Sequence, residues 1–119
     1  MTTNHKDLPF DKRLSQTKKV MSIHPNKLCC YVERSEKSRK DVNDIEKHKY
    51  IVPNTLTVAE FIVIIRKKIH ITPEKGLFFF VNNITITGNT LLLDIYNKHK
   101  DDDGFLYITY TSENCFGGN

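Results

Sequence analysis

The sequence has no tryptophan and no long hydrophobic run. Its longest apolar stretches, Phe61 to Ile65 and Leu77 to Val81, are five residues each, against the about 20 that a membrane-spanning helix needs. No span across a bilayer is expected. The opening segment, Met1 to Asp7, has no apolar stretch of the secretory type, so the expected location is cytoplasmic. Cysteine is scarce, with three in the chain, and an odd count with Cys29 beside Cys30 is a poor disulfide framework. Neighbours on a strand point to opposite faces, so these two cannot chelate one metal, and no histidine stands at zinc-ligand spacing from them. They read as buried or half-buried small hydrophobes. His5, His24, His48, His70 and His99 are scattered singly, and neither a metal nor a cofactor is expected. The acids Asp101, Asp102 and Asp103 lack the spacing and terminal glutamate of a calcium loop and read, with Gly104, as a solvated turn. No internal repeat is visible.

What remains describes one soluble domain. A chain of 119 residues buries about two thirds of its unfolded surface and has little left for a second core. Apolar residues at 39% and charged ones at 27% are ordinary, and seven Phe with five Tyr supply bulk. The net charge of +4 is uneven: residues 1–33 carry +3, 34–49 and 50–83 carry +2 each, and 84–119 carry −3. A basic half of this kind attracts anionic lipid, nucleic acid or acidic peptides.

Phe10 to Ile23 reads as a helix with a thin apolar stripe, Leu14, Thr17, Val20 and Met21, stopped by Pro25. Lys27 to Glu33 alternates as a strand. Arg34 to Asp44 has one apolar residue in eleven, so it is expected to be an exposed loop that contributes no core. His48 to Pro53 is a short strand ended by proline, which predicts an edge position open to a partner's strand. Thr57 to Glu60 forms a capping box, and the helix it opens runs to about Ile69. Val58, Ile62, Ile65 and Ile69 are its expected core stripe, leaving Phe61 and Ile64 as a surplus apolar strip that must meet another element or a ligand. Leu77 to Val81 is apolar on both faces, as a covered central strand would be. Asn82-Asn83 turns the chain into a brief strand at Ile84 to Ile86. A short helix capped by Asn89 or Thr90 runs to about His99, and Phe105 to Tyr110 is the last long strand. This order fits an α+β fold, a mixed sheet over one main helix, and matches a ubiquitin-like β-grasp.

The segments Pro9 to Arg13, Lys47 to Pro53, Leu56 to Phe61, Ile65 to Ile69, Leu77 to Asn83, Asp103 to Tyr110 and Ser112 to Gly117 together resemble the autophagy ubiquitin-like modifiers, the family of GABARAP and the microtubule-associated light-chain proteins. The resemblance implies a ubiquitin-like β-grasp with two added N-terminal helices, divided here into an extension at 1–26, a core at 27–111 and a tail at 112–119. It further implies a modifier, not an enzyme. A processing cysteine protease would expose Gly117, E1-like and E2-like enzymes would carry it, and phosphatidylethanolamine would receive it on autophagosome membranes. Cargo receptors and adaptors would dock through aromatic-x-x-aliphatic linear motifs. By the same resemblance the aromatic pocket falls on Val20, Cys29, Lys49, Ile51 and Phe105, and the aliphatic pocket on Val52, Pro53, Leu56, Phe61 and Ile64. Lys27, Lys49 and Lys68 would meet acidic flanks, and Phe78 and Phe80 would meet the processing and conjugation enzymes. The sequence departs from the family pattern where Cys29 replaces a proline, where residues 34–44 are about two longer, and where Ile86-Thr87 replaces a proline pair. Lysines at 27 and 68 in place of arginines keep the charge and lose the bidentate fork.

Three other classes are weaker fits. Lys75 to Val81 superficially resembles an RNA-binding strand motif, but Phe78 occupies a small residue's place and no second aromatic motif precedes it. A plain peptide-binding domain without conjugation keeps the docking surfaces and drops the role of Gly117. A cysteine enzyme using Cys115 or Cys29 lacks a base held by a third group.

Overall fold

The computed structural model describes residues 5–38 and 41–112. A single 3-10 turn, His5–Asp7, precedes helix α1, Phe10–Ile23. Then come strands β1, Lys27–Arg34, and β2, Lys49–Pro53, helix α2, Val58–Ile69, strands β3, Phe78–Val81, and β4, Ile84–Ile86, helix α3, Leu92–His99, and strand β5, Leu106–Thr111. The sheet order is β2-β1-β5-β3-β4. Only β1 and β5 run parallel; β1 with β2, β3 with β5 and β3 with β4 are antiparallel. The first of the two expected N-terminal helices is therefore one 3-10 turn among the described residues. The strand expected at the centre, β3, stands one place in from the edge, and β5 runs down the middle.

The hairpin between β3 and β4 turns on Asn82 and Asn83, with φ of 51° and 65°. Two left-handed residues give the turn whose twist matches its flanking strands, and asparagine tolerates that conformation. Helix α2 starts as its sequence predicts: Glu60 N–H donates to Thr57 Oγ1 at 3.1 Å, and Thr57 N–H donates to Glu60 Oε1 at 2.9 Å. Helix α3 starts otherwise. Its cap is Leu91, without a side-chain hydrogen bond, and backbone pairing replaces one: Leu92 N–H donates to Leu56 O at 2.9 Å, while Val58 N–H donates to Thr90 O at 2.9 Å. The two helix starts hold each other, so neither Asn89 nor Thr90 is needed as a cap.

The main core lies between α2 and one sheet face, where Cys30, Val32, Val52, Phe79, Leu106, Ile108 and Tyr110 meet Val58, Phe61, Ile65 and Ile69. The α2 stripe thus differs from expectation by one residue: Phe61 is fully buried and Ile62 takes the margin. Offsets of three and four both stay on a helix face with 3.6 residues per turn, so packing decides. The Phe61 ring fills the space between Tyr50 and Phe79, edge to face with both at centroid distances of 5.8 and 5.7 Å. The loop after β1 also departs from expectation, because Val42 enters this core and Ser38 is buried. Ser35 N–H donates to Tyr110 O at 2.9 Å, Arg34 Nη1 to Val42 O at 3.0 Å, and Tyr110 Oη to Asn43 O at 2.7 Å. Hydrogen bonds to the sheet compensate for its polar composition.

Phe61→Ala is expected to cost about 3–5 kcal/mol of folding stability, as other buried phenylalanine truncations do. Urea denaturation followed by circular dichroism measures it, and a loss below about 1 kcal/mol would be incompatible with a core ring.

Candidate functional site

The opposite sheet face carries α1. Cys29, Tyr31 and Phe105 are buried there, with Val20 of α1 and Tyr107 packed against them. What fixes α1 is Asp103, fully buried in the turn before β5. Its carboxylate accepts from Arg13 Nη1 at 3.0 Å, from Phe105 N–H at 2.8 Å, and from the Tyr107 hydroxyl, while its carbonyl accepts from Thr17 Oγ1 at 2.6 Å. The solvated turn expected at 101–104 is corrected: one of its three acids is interior, held by charge-assisted bonds. Gly104 is required beside it. Its φ is +88°, and an added Cβ would stand 2.3 Å from Thr17 Oγ1.

The N-terminal turn closes over the same face. His5 is buried, its ring 4.7 Å from those of Tyr31 and Phe105, with Nε2 3.2 Å from the Tyr107 hydroxyl. His48 stacks on the far side of Tyr31 at 5.3 Å and donates from Nδ1 to Val32 O at 2.8 Å. His5, Leu8, Tyr31, Lys47, His48 and Lys49 line a cavity of about 330 Å³. Burial, then the charge of Lys49, lowers the pKa of His5 to about 4, against a smaller opposing pull from Asp103. Burial first, and then donation to Asp103, raises that of Tyr107, which keeps its hydroxyl a donor.

Strand β2 lies at the sheet's edge, as its proline predicts. Its residues alternate: Lys49, Ile51 and Pro53 are exposed, and Tyr50 and Val52 are buried against α2. Beside it, the residues expected to dock a peptide divide by burial. On the α1 face, Ile51 is 49% exposed and offers a ledge, Val20 is half-buried, and Cys29 and Phe105 are walls beneath. Lys49 Nζ reaches across to Gln16 Oε1 on α1 at 3.1 Å. On the α2 face, Ile64 is 36% exposed, Leu56 is half-buried and Pro53 exposed, while Val52 belongs to the core. Phe61 is corrected here as a docking residue, since its ring offers no accessible surface. Phe80 is buried likewise, whereas its strand neighbour Phe78 is half-exposed. Of the basic positions, Lys49 and Lys68 are exposed and Lys27 is half-exposed at the start of β1.

Sequence reasoning missed Tyr31, His48 and His5 as parts of this surface. The alternation of β1 put Tyr31 on the face of Cys29, which was a usable signal; nothing local marked His5. Cys29 and Cys30 are buried and their thiols are pushed up by desolvation, so neither is poised as a nucleophile. Cys115, Phe116 and Gly117, with the whole stretch 113–119, lie outside the described residues. No described helix is long and apolar enough to cross a membrane.

Comparison with known proteins agrees on one family. Residues 12–117 match the family described as "Autophagy protein Atg8 ubiquitin like". Autophagy-related protein 8d of Arabidopsis thaliana is 44% identical over 109 residues, covering 92% of this chain and 89% of the relative. Autophagy-related protein 8 of Saccharomyces cerevisiae is 42% identical over 116 residues, 98% of this chain and 97% of the relative. The crystal structure of Trypanosoma brucei ATG8 superposes with a TM-score of 0.87 at 33% identity, covering 98% and 99% of the two chains.

The lowered pKa of His5 sets a pH dependence. The unfolded chain takes up this proton at about 6.5 and the folded chain only at about 4, so the stability tied to His5 is whole above the first value and is lost as pH falls toward the second. His5→Phe, which keeps a stacking ring and cannot protonate, is expected to flatten that part of the melting-temperature profile. Differential scanning calorimetry of both proteins across this range measures it, and superposable profiles would place the His5 ring outside the aromatic stack.

Proposed function

Because this chain belongs to the Atg8 ubiquitin-like family of autophagy proteins, we propose that it is a conjugated modifier which recruits cargo receptors and adaptors through aromatic-x-x-aliphatic motifs. The observation that carries the docking half is the free edge of β2, flanked on its two sides by different apolar ledges, Ile51 toward α1 and Ile64 toward α2. A peptide strand added there satisfies the unpaired backbone groups of the edge and turns alternate side chains to opposite faces. An aromatic residue toward Ile51 and an aliphatic residue three positions later toward Ile64 have opposite parity, which is the spacing such a motif supplies. Exposed Lys49 and Lys68, with Lys27, favour acidic flanks.

The conjugation half rests on the family and on the residues around Gly117. Gly117 follows an aromatic residue, Phe116, in a polar stretch after β5, and a residue without Cβ suits a carboxylate that must thread an enzyme channel. Under this reading a cysteine protease removes Gly118 and Asn119, E1-like and E2-like enzymes carry the Gly117 carboxylate, and phosphatidylethanolamine accepts it as an amide. The protein is then cytoplasmic until lipid holds it on the autophagosome membrane. Half-exposed Phe78 is the surface residue proposed to meet these enzymes.

Ile51→Asp tests the docking half. It puts an unpaired charge where water must leave on binding, so affinity for an aromatic-x-x-leucine peptide is expected to fall by at least about a hundredfold with native circular dichroism. Unchanged affinity would show that the peptide docks elsewhere. For the conjugation half, Gly117→Ala is expected to block both cleavage and lipid attachment, while deleting Gly118 and Asn119 bypasses only the protease. Intact mass spectrometry of the lipidated product reads the terminal residue, and a conjugate ending in Gly118 would overturn the assignment.

A further inference from the structure

A second cavity, about 390 Å³, lies on the α2 side of β2, between residues 43–47 and the last turn of α2. Tyr50 lines it. That side chain is 6% exposed, and its hydroxyl is buried without a hydrogen-bond partner among the described residues. A buried hydroxyl left unpaired carries a desolvation penalty that a bound acceptor would remove. Burial raises the Tyr50 pKa, so the group stands ready as a donor. Lys47, Lys68, Asp44 and Glu46 also line the cavity, with His70 at the helix end; Asp44 already accepts from Ile45 N–H at 2.8 Å and lies 3.8 Å from Arg34, and Lys47 Nζ stands 5.2 Å from the centroid of the Tyr50 ring. Two cations against two anions give a site of little net charge that carries both donors and acceptors.

Strand geometry says which part of a docked peptide reaches it. This step rests on the docking of a motif along β2 proposed above. The aromatic pocket takes Lys49 and Ile51 of that strand and the aliphatic pocket takes Val52 and Pro53, so the peptide runs parallel to β2, aromatic end first. The motif's aliphatic residue and its first intervening residue are two apart and share a face. With the aliphatic residue beside Val52, the first intervening residue lies about 7 Å upstream, beside Tyr50, which is two residues before Val52 on the same side of β2.

We propose that this cavity is the subsite for the first intervening residue of the motif and that it selects a glutamine there. The side-chain carbonyl of glutamine accepts from the Tyr50 hydroxyl, and its amide N–H groups meet the carboxylate of Glu46. An apolar side chain of the same length leaves the hydroxyl unpaired. A glutamate supplies the oxygen acceptor but no amide N–H for the carboxylate of Glu46.

The test uses three aromatic-x-x-leucine peptides, identical except for glutamine, methionine or glutamate at the first intervening position, titrated by calorimetry into the full chain and into Tyr50→Phe. On the parent, glutamine is expected to bind roughly three- to tenfold tighter than methionine. In Tyr50→Phe that preference should shrink to what the acidic partner of the amide supplies, with the methionine peptide unchanged. Tyr50→Phe removes only an unpaired hydroxyl, so its melting temperature should equal or exceed the parent's. Equal affinities on the parent, or a glutamine preference of undiminished size in Tyr50→Phe, would overturn the subsite. Glutamate binding tighter than glutamine would overturn the choice of the amide. Failure of all three peptides to bind the parent would instead remove the docking of motifs along β2, and the subsite with it.

Discussion

The carboxylate of Asp103 is the constraint on which the α1 face of the sheet depends. Helix α1 has a thin apolar stripe: Thr17 is its only residue described as buried, and Phe10 and Ile23 are exposed. Hydrophobic burial alone would hold it weakly. Asp103 supplies the missing specificity by joining Arg13 and Thr17 of α1 to Phe105, just before β5, and to Tyr107 of β5 through one buried residue. A buried charge is tolerated only when its lone pairs are filled, and here the carboxylate meets a guanidinium, a phenol and a backbone amide. The geometry leaves α1 one register, which puts Val20 against Cys29 and Phe105. The N-terminal turn depends on the same anchor, because His5 meets Phe105 edge to face and bonds to the Tyr107 hydroxyl that Asp103 orients.

This explains what the sequence could and could not disclose. The bounds of α1, the α2 capping box, the Asn82-Asn83 turn and the edge position of β2 were legible because each follows from groups within a few residues of one another. The burial of Asp103 was not, since the partner that makes it tolerable, Arg13, is 90 residues away, and three acids followed by glycine look the same in water. Val42 was hidden for the same reason: the polar loop around it is satisfied by Tyr110 and Arg34, and only the folded sheet brings them near. On α2 the period was right and the choice between Phe61 and Ile62 was not, because both lie within one helix face and only the gap between Tyr50 and Phe79 separates them. Of the candidate site, the family likeness suggested Ile51 and Ile64, and both are exposed. Which residues present surface and which are walls needed the packing.

An open sheet edge is an aggregation hazard unless something discourages indiscriminate pairing. Here the means are on β2 itself and beside it. The strand is five residues long and ends in Pro53, Lys49 stands exposed on it, and Lys47 and Lys68 flank it from the loop and from α2. A second copy of β2 paired in parallel would set Lys49 beside its own kind, which costs energy. An acidic segment meets no such penalty. The features that keep the edge solitary are thus the ones that would favour its partners.

The two faces of the edge differ in how they can discriminate. Toward α1 the walls are aromatic and sulfur, with lysines at the rim of the neighbouring cavity, so ring stacking and charge decide, and both tolerate variation in the ligand. Toward α2 the wall includes a hydroxyl without a partner among the described residues, and an unpaired buried donor penalises every ligand that fails to bond it. Affinity can therefore come mainly from one side of β2 and selectivity from the other. Because successive side chains of an added strand alternate between them, a four-residue motif samples both faces twice, and its two intervening positions carry information of their own.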